Sequence, residues 1–133
     1  YGQTIRIAGH TLISDEPLSV PQGQDTGPSP YDLLLASLGS CTSMTLRMYA
    51  DQKGLPLTKV HVSLRHKKIH AQDCQDCETK QGFVDLIQRN ITLSGALTKE
   101  HREDLIRVAN KCPVHKTLLG EIKIETVERE VHE

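Results

Sequence analysis

The chain has no tryptophan, one phenylalanine and three tyrosines. That excludes an aromatic platform on which nucleic-acid bases could stack. It also lacks an excess of either charge: 16 basic residues against 17 acidic ones give a formal net charge of −1, so no electrostatic footprint for nucleic acid is present. Long hydrophobic runs are missing too. The longest apolar stretch, 33–38, is interrupted by Ser37 and falls far below the roughly 20 residues needed to span a bilayer, so we expect no membrane partner. No secretory signal opens the chain, and no internal repeat or low-complexity tract appears in it. Four cysteines among so many periodic segments do not make the disulfide framework of a small, loop-rich secreted protein. A reducing cytoplasmic location fits better. The length, 133 residues, predicts one domain over 1–133, and a start at Tyr1 without Met leads us to expect that something upstream was trimmed.

What is present falls into segments of two periods. Thr4 to Ile7 and His10 to Ile13 alternate around Gly9 and predict an N-terminal hairpin. A Pro/Gly-rich loop covers 17–30. Ser29-Pro30-Tyr31-Asp32 then supplies an N-cap, a proline at N1 and an acid at N3, the start signal of a helix expected over 30–53 and ended by Gly54. Val60, Val62 and Leu64 alternate with polar residues, and 83–93 is the expected hairpin partner. Leu105, Val108, Ala109 and Cys112 follow helical spacing behind a Thr98 cap. Pro113 stops that helix, a short one is expected over 114–119, and Ile122 and Ile124 open a final strand.

The first helix carries Leu33, Leu34, Leu35, Leu38, Met44, Leu46 and Met48 around nearly its whole circumference. A helix apolar on all sides is buried on all sides. In so short a chain, such burial calls for a sheet on one side and the same helix of a second copy on the other. Ser37, Gly39, Ser40 and Ser43 would let two such backbones approach. We therefore expect a homodimer, with a monomeric core helix under a curved sheet as the alternative.

Two cysteines stand 71 residues apart (112 − 41), each on or beside a helix. The thiolate is the reactive form, and an ordinary thiol is mostly protonated at neutral pH unless a cation or a helix N-terminus lowers its pKa. Cys112 precedes Pro113 and can cap the following helix, whose free amides favour a thiolate; His115 lies in that first turn. Cys41 is mid-helix and needs a nearby Arg or Lys. The plain alternative is two inert core cysteines.

These residues also carry a resemblance. Gly27-Pro28-Ser29-Pro30-Tyr31-Asp32-Leu33-Leu34-Leu35-Ala36 followed by Leu38-Gly39-Ser40-Cys41-Thr42-Ser43-Met44 resembles the first conserved block of the OsmC/Ohr family of peroxide-resistance proteins. Lys111-Cys112-Pro113-Val114-His115 resembles the second, and the order of elements agrees over nearly the whole chain. The resemblance implies an α+β fold, a swapped homodimer with two central buried helices between antiparallel sheets. It also implies thiol-dependent reduction of organic hydroperoxides, with Cys41 as the peroxidatic and Cys112 as the resolving thiol. An external dithiol such as dihydrolipoamide would reset the pair, and no metal or flavin enters.

Two departures qualify the resemblance. Family members place Glu directly after the proline of the first block; here Tyr31 stands there and the acid comes next, at Asp32. Asp32 precedes Cys41 by nine residues, about 13 Å along a helix and on its other face, so it can meet a Cys41 thiolate only across a dimer interface. Its alternative role is to bond back to Ser29. The family's activating arginine is assigned to Arg6, in the corresponding N-terminal hairpin, with Arg65 and Arg89 as alternatives on strands. Arg89 shares an alternation face with Ile87, Ile91 and Leu93, which is odd for a surface charge. With acid and arginine altered, the chain looks closer to relatives of unassigned substrate, some of them fused behind a hydrolase domain.

Cys74 and Cys77, with His66 and His70 nearby, form a competing site of zinc-ligand spacing. On an extended strand the two histidines are about 13 Å apart, so only one, His70, is expected to join the cysteines. We expect no tightly bound zinc; a redox dithiol and a solvated loop are the other readings. His10 falls near the expected mouth of the main site, and His61, His101 and His132 on polar faces. Two functions stay open. One is a cysteine-based hydroperoxide reductase. The other is a non-catalytic or zinc-stabilised module of the same family that binds a hydrophobic ligand or supports a fused enzyme.

Overall fold

Ser29 fixes where the main helix begins. Its hydroxyl accepts the Asp32 N–H at 3.2 Å, and the Asp32 carboxylate accepts the Ser29 N–H at 3.0 Å, so two amides of the first turn are satisfied reciprocally. The helix, α1, runs Pro30–Lys53 and ends at Gly54, whose φ of 66° is the left-handed conformation that favours glycine. The structure, a computed structural model, describes residues 1–130. His132 lies outside them.

Before α1 stands a hairpin, β1 (Gln3–Ile7) and β2 (His10–Ser14), turning at Ala8 and Gly9, both at positive φ. The connection to α1 is ordered by Asp15, which is buried. Its carboxylate accepts the Glu16 N–H and both the N–H and hydroxyl of Thr26. After α1, strands β3 (Leu57–His70) and β4 (Phe83–Gly95) pair antiparallel as a long ribbon, with Leu64 opposite Arg89. Two helices close the order: α2 (Lys99–Ala109), capped by Thr98, and α3 (Pro113–Leu119). The architecture is α+β.

The core lies at the end of the ribbon near Leu57. Leu46 and Ala50 of α1 meet Leu57 of β3 and Leu105, Val108 and Ala109 of α2. Leu46 and Leu105 are wholly out of solvent, so truncating either to alanine should cost about 2–5 kcal/mol. Gly39 sets how closely α1 lies on β3: a Cβ there would stand 2.8 Å from Leu64 Cδ1. Among the described residues no helix is long and apolar enough to cross a membrane.

Within the chain α1 is covered on one side: Leu38, Gly39, Thr42, Leu46 and Ala50 are buried, whereas Met44 and Met48, on the side where a second copy is expected, are 65% and 62% exposed. One chain supplies a ribbon and two short helices to one face only. Two other expectations need correction. Residues 121–130 form no strand, because none of the described residues pairs with them, and Ile122, Ile124 and Val127 are exposed. Finally, α2 ends at Ala109, and Cys112 is buried from a position outside that helix.

Candidate active site

Pro113 decides the local geometry around Cys112. Proline starts α3 at its first position, which makes Cys112 the N-cap, and its Sγ accepts the His115 N–H at 3.3 Å. Cys112 is fully buried. The wall opposite comes from α1: Thr42 Oγ1 stands 3.9 Å from Cys112 Sγ, and Thr42 belongs to the buried stripe Leu38, Thr42, Leu46 and Ala50. Cys41, the neighbouring residue, is partly exposed and unbonded to any other cysteine.

Arg89 reaches into this site from β4. Its Nη1 donates to Thr42 Oγ1 at 3.1 Å, and its Nη2 donates to Asn110 Oδ1 at 2.8 Å and to His115 Nδ1 at 3.1 Å. Among the described residues no carboxylate pairs with it, so its charge is directed at the thiol site. Burial pushes the Cys112 thiol up. Against that, the His115 amide, the Cys41 thiol, the Thr42 hydroxyl and the Arg89 charge all pull it down, and together they hold it below the ordinary thiol value. Burial and then the Arg89 charge hold His115 below the usual histidine value, in keeping with an imidazole that accepts from a guanidinium.

The residues expected at a site divide cleanly. Cys41 and Cys112 come together, as does Arg89. Arg6 is exposed on β1 opposite Thr11 and is not in the shell around Cys112. Asp32 is exposed and engaged in the cap with Ser29. Thr42 and Asn110 were not singled out in the sequence; for Thr42 the available signal was its place on an otherwise apolar i, i+4 stripe.

At the tip of the ribbon Cys74 and Cys77 are joined in a disulfide, Cα atoms 5.5 Å apart. Asp76, rather than His70, groups its ligand atom with the two sulfurs. His70 instead packs against Phe83, with ring centroids 4.6 Å apart and the rings tilted by 33°. His66 is also engaged, with Asp85 at 2.8 Å and the Tyr31 ring at 4.5 Å.

The fold is shared with solved structures. An OsmC-like protein from Mycoplasma pneumoniae superposes with a TM-score of 0.70 at 20% identity, over 90% of this chain and 79% of that one. The organic hydroperoxide resistance protein OhrB of Bacillus subtilis gives 0.59 at 16% identity, over 90% and 91%. An organic hydroperoxide resistance protein OsmC from Legionella pneumophila gives 0.59 at 15%, over 90% and 88%. Identities this low carry the fold alone. No curated protein is similar enough to this sequence to count as a match. The profile of OsmC-like proteins, however, matches residues 23–127, which takes in both cysteines and every element from α1 to α3, and the chain therefore belongs to the OsmC-like protein family.

Proposed function

We propose that this protein is a cysteine-based peroxidase that reduces organic hydroperoxides through Cys41 and Cys112. One observation carries the reading: a buried cysteine with its pKa lowered by an amide, a hydroxyl and an arginine stands beside a second, partly exposed cysteine. The more accessible sulfur, Cys41, meets the peroxide. The Cys41 proton passes to Cys112, and the Cys41 thiolate attacks the outer peroxide oxygen; the O–O bond breaks, the alkoxide takes the proton back from Cys112 and leaves as the alcohol, and Cys41 becomes a sulfenic acid. The Cys112 thiolate so restored attacks that sulfur, a disulfide forms, and the hydroxide that leaves takes a proton from solvent to become water. An external dithiol reduces the disulfide by exchange and is itself oxidised. A cytoplasmic setting suits two free thiols. The organic hydroperoxide resistance proteins of the same fold favour this substrate class.

In this reading Arg89 takes the activating role expected of Arg6, and Asp32 serves the helix cap. The exposed Met44 and Met48 stand on the side of α1 opposite its buried stripe, which supports a homodimer closed by the partner's α1. The deciding experiment is turnover of cumene hydroperoxide against hydrogen peroxide with dihydrolipoamide as reductant. We expect the organic peroxide to be preferred. Turnover of neither would leave the non-catalytic module as the function.

A further inference from the structure

We propose that Cys74 and Cys77 form a second thiol–disulfide exchange site, separate from Cys41 and Cys112, whose co-substrate is an uncharged external dithiol. The first argument is that the fold does not need this crosslink. The two cysteines are three residues apart, so joining them restricts the unfolded chain far less than closing a long loop would. The loop is already closed by other means: Ala71 N–H donates to Gly82 O at 2.8 Å, Cys74 N–H to Ala71 O at 3.0 Å, and Lys80 Nζ to Cys77 O at 2.8 Å. Beneath it the strands pair up to His70 and Phe83, whose rings pack together at a tilt. Opening the disulfide therefore leaves the ribbon in place.

The second argument is access and polarity. Both cysteines are partly exposed at the end of the ribbon. Leu64, level with the Arg89 site, lies six residues before His70, about 20 Å along the strand, so neither Cys41 nor Cys112 of the same chain is their exchange partner. Asp73, Asp76 and Glu78 outnumber Lys80 in the loop, an acidic setting that repels anionic thiols. The Asp76 carboxylate stands 3.4 Å from Cys74 Sγ, where it accepts the S–H of a reduced Cys74.

The step balances as an exchange. A thiolate of the external dithiol attacks Cys77 Sγ, the sulfur away from Asp76, and the Cys74–Cys77 bond breaks. Cys74 leaves as a thiolate, takes a proton from water and, as a thiol, hydrogen-bonds through its S–H to the Asp76 carboxylate. The second thiol of the co-substrate, deprotonated, then attacks its own mixed disulfide and releases Cys77 as a thiolate that is protonated in turn. Two electrons have moved to the protein, and the co-substrate has become a cyclic disulfide.

The test uses the full chain with Cys41→Ser and Cys112→Ser, so that only the second pair remains to be counted by alkylation and intact mass. We expect dihydrolipoamide to expose two alkylatable thiols in the folded protein, lipoamide to close them again, and circular dichroism to stay unchanged between the states. Dihydrolipoate, the anionic counterpart, should react more slowly at low salt, with the gap narrowing as salt is added. A disulfide that resists dihydrolipoamide until the protein is unfolded would overturn the proposal. Thiols that lipoamide cannot close, or that become alkylatable only after a metal chelator is added, would overturn it equally. Equal rates with the two dithiols would refute the selection of an uncharged partner. In the chain with Cys41 and Cys112 restored, Cys77→Ser should leave peroxide turnover unchanged.

Discussion

Arg89 Nη2 donates to His115 Nδ1 at 3.1 Å, and because a guanidinium can only donate, the imidazole must accept and is held neutral with its proton on Nε2. Burial and the neighbouring charge keep its folded-state pKa below the ordinary 6.5. In the unfolded chain His115 protonates near 6.5, whereas the folded chain resists. The unfolded state therefore binds more protons as pH falls below about 6.5, and stability drops until the folded-state pKa is passed. Chemical denaturation between pH 5 and 7.5 should show this slope, and His115→Gln should flatten it. An imidazole resonance titrating at or above 6.5 would contradict the assignment.

Arg89→Ala removes the only guanidinium among the described residues that is directed at the thiol site. In a Cys41→Ser background, ultraviolet titration of the thiolate should then show the Cys112 pKa rising. Each unit of rise costs about tenfold in thiolate at pH values below both pKa values. Peroxide turnover in the otherwise native chain should fall with it. An unchanged titration would mean that the His115 amide suffices without Arg89.

Cys41→Ser should abolish peroxide consumption, while Cys112→Ser should leave a sulfenic acid on Cys41 that a dimedone probe captures in one round of reaction. The roles follow from exposure, since Cys41 is partly open and Cys112 is closed off. Trapping on Cys112 instead would invert them.

Asp32→Ala removes one half of the reciprocal cap at Ser29. We expect a loss of about 1 kcal/mol and a melting temperature lower by roughly 3–5 °C. Turnover per folded molecule should not change. A fall in activity larger than the loss of folded protein would return Asp32 to the site, reached across a dimer interface.

Met44→Glu with Met48→Glu places two charges on the open side of α1. Light scattering should report a dimer for the native chain and a smaller species, or aggregation, for the variant. A native monomer at micromolar concentration would remove the reason to expect paired helices.

Much of this was legible in the sequence because the signals were local. The Ser29 cap, the Gly54 stop, the Thr98 cap and the Cys112-Pro113 junction are each written in three or four adjacent residues, and each appears where expected. Arg89 was only half legible. Its misplaced charge on an apolar alternation face showed that something was unusual, but its targets Thr42, Asn110 and His115 lie 47, 21 and 26 residues away. Assigning the role to Arg6 follows the order of elements rather than geometry, whereas the case for Arg89 rests on its hydrogen bonds to Thr42, Asn110 and His115, which are distant in the chain. The final strand failed for a different reason. Alternation at Ile122 and Ile124 marks a segment fit for a sheet without saying which chain provides the neighbouring strand.

The β3–β4 ribbon is about 45 Å long at its 14-residue strand, whereas α1, at 24 residues, is about 36 Å. The buried cluster occupies only the end near Leu57 and Gly95. Backbone amides should therefore exchange with deuterium along a gradient, slowest around Val60 and Leu93 and fastest around Ile69 and Val84, although every pair from Lys59 to His70 belongs to one continuous ladder. Local opening of the far end then needs no disturbance of the thiol site at Arg89, and one hairpin spans two regions of unequal rigidity.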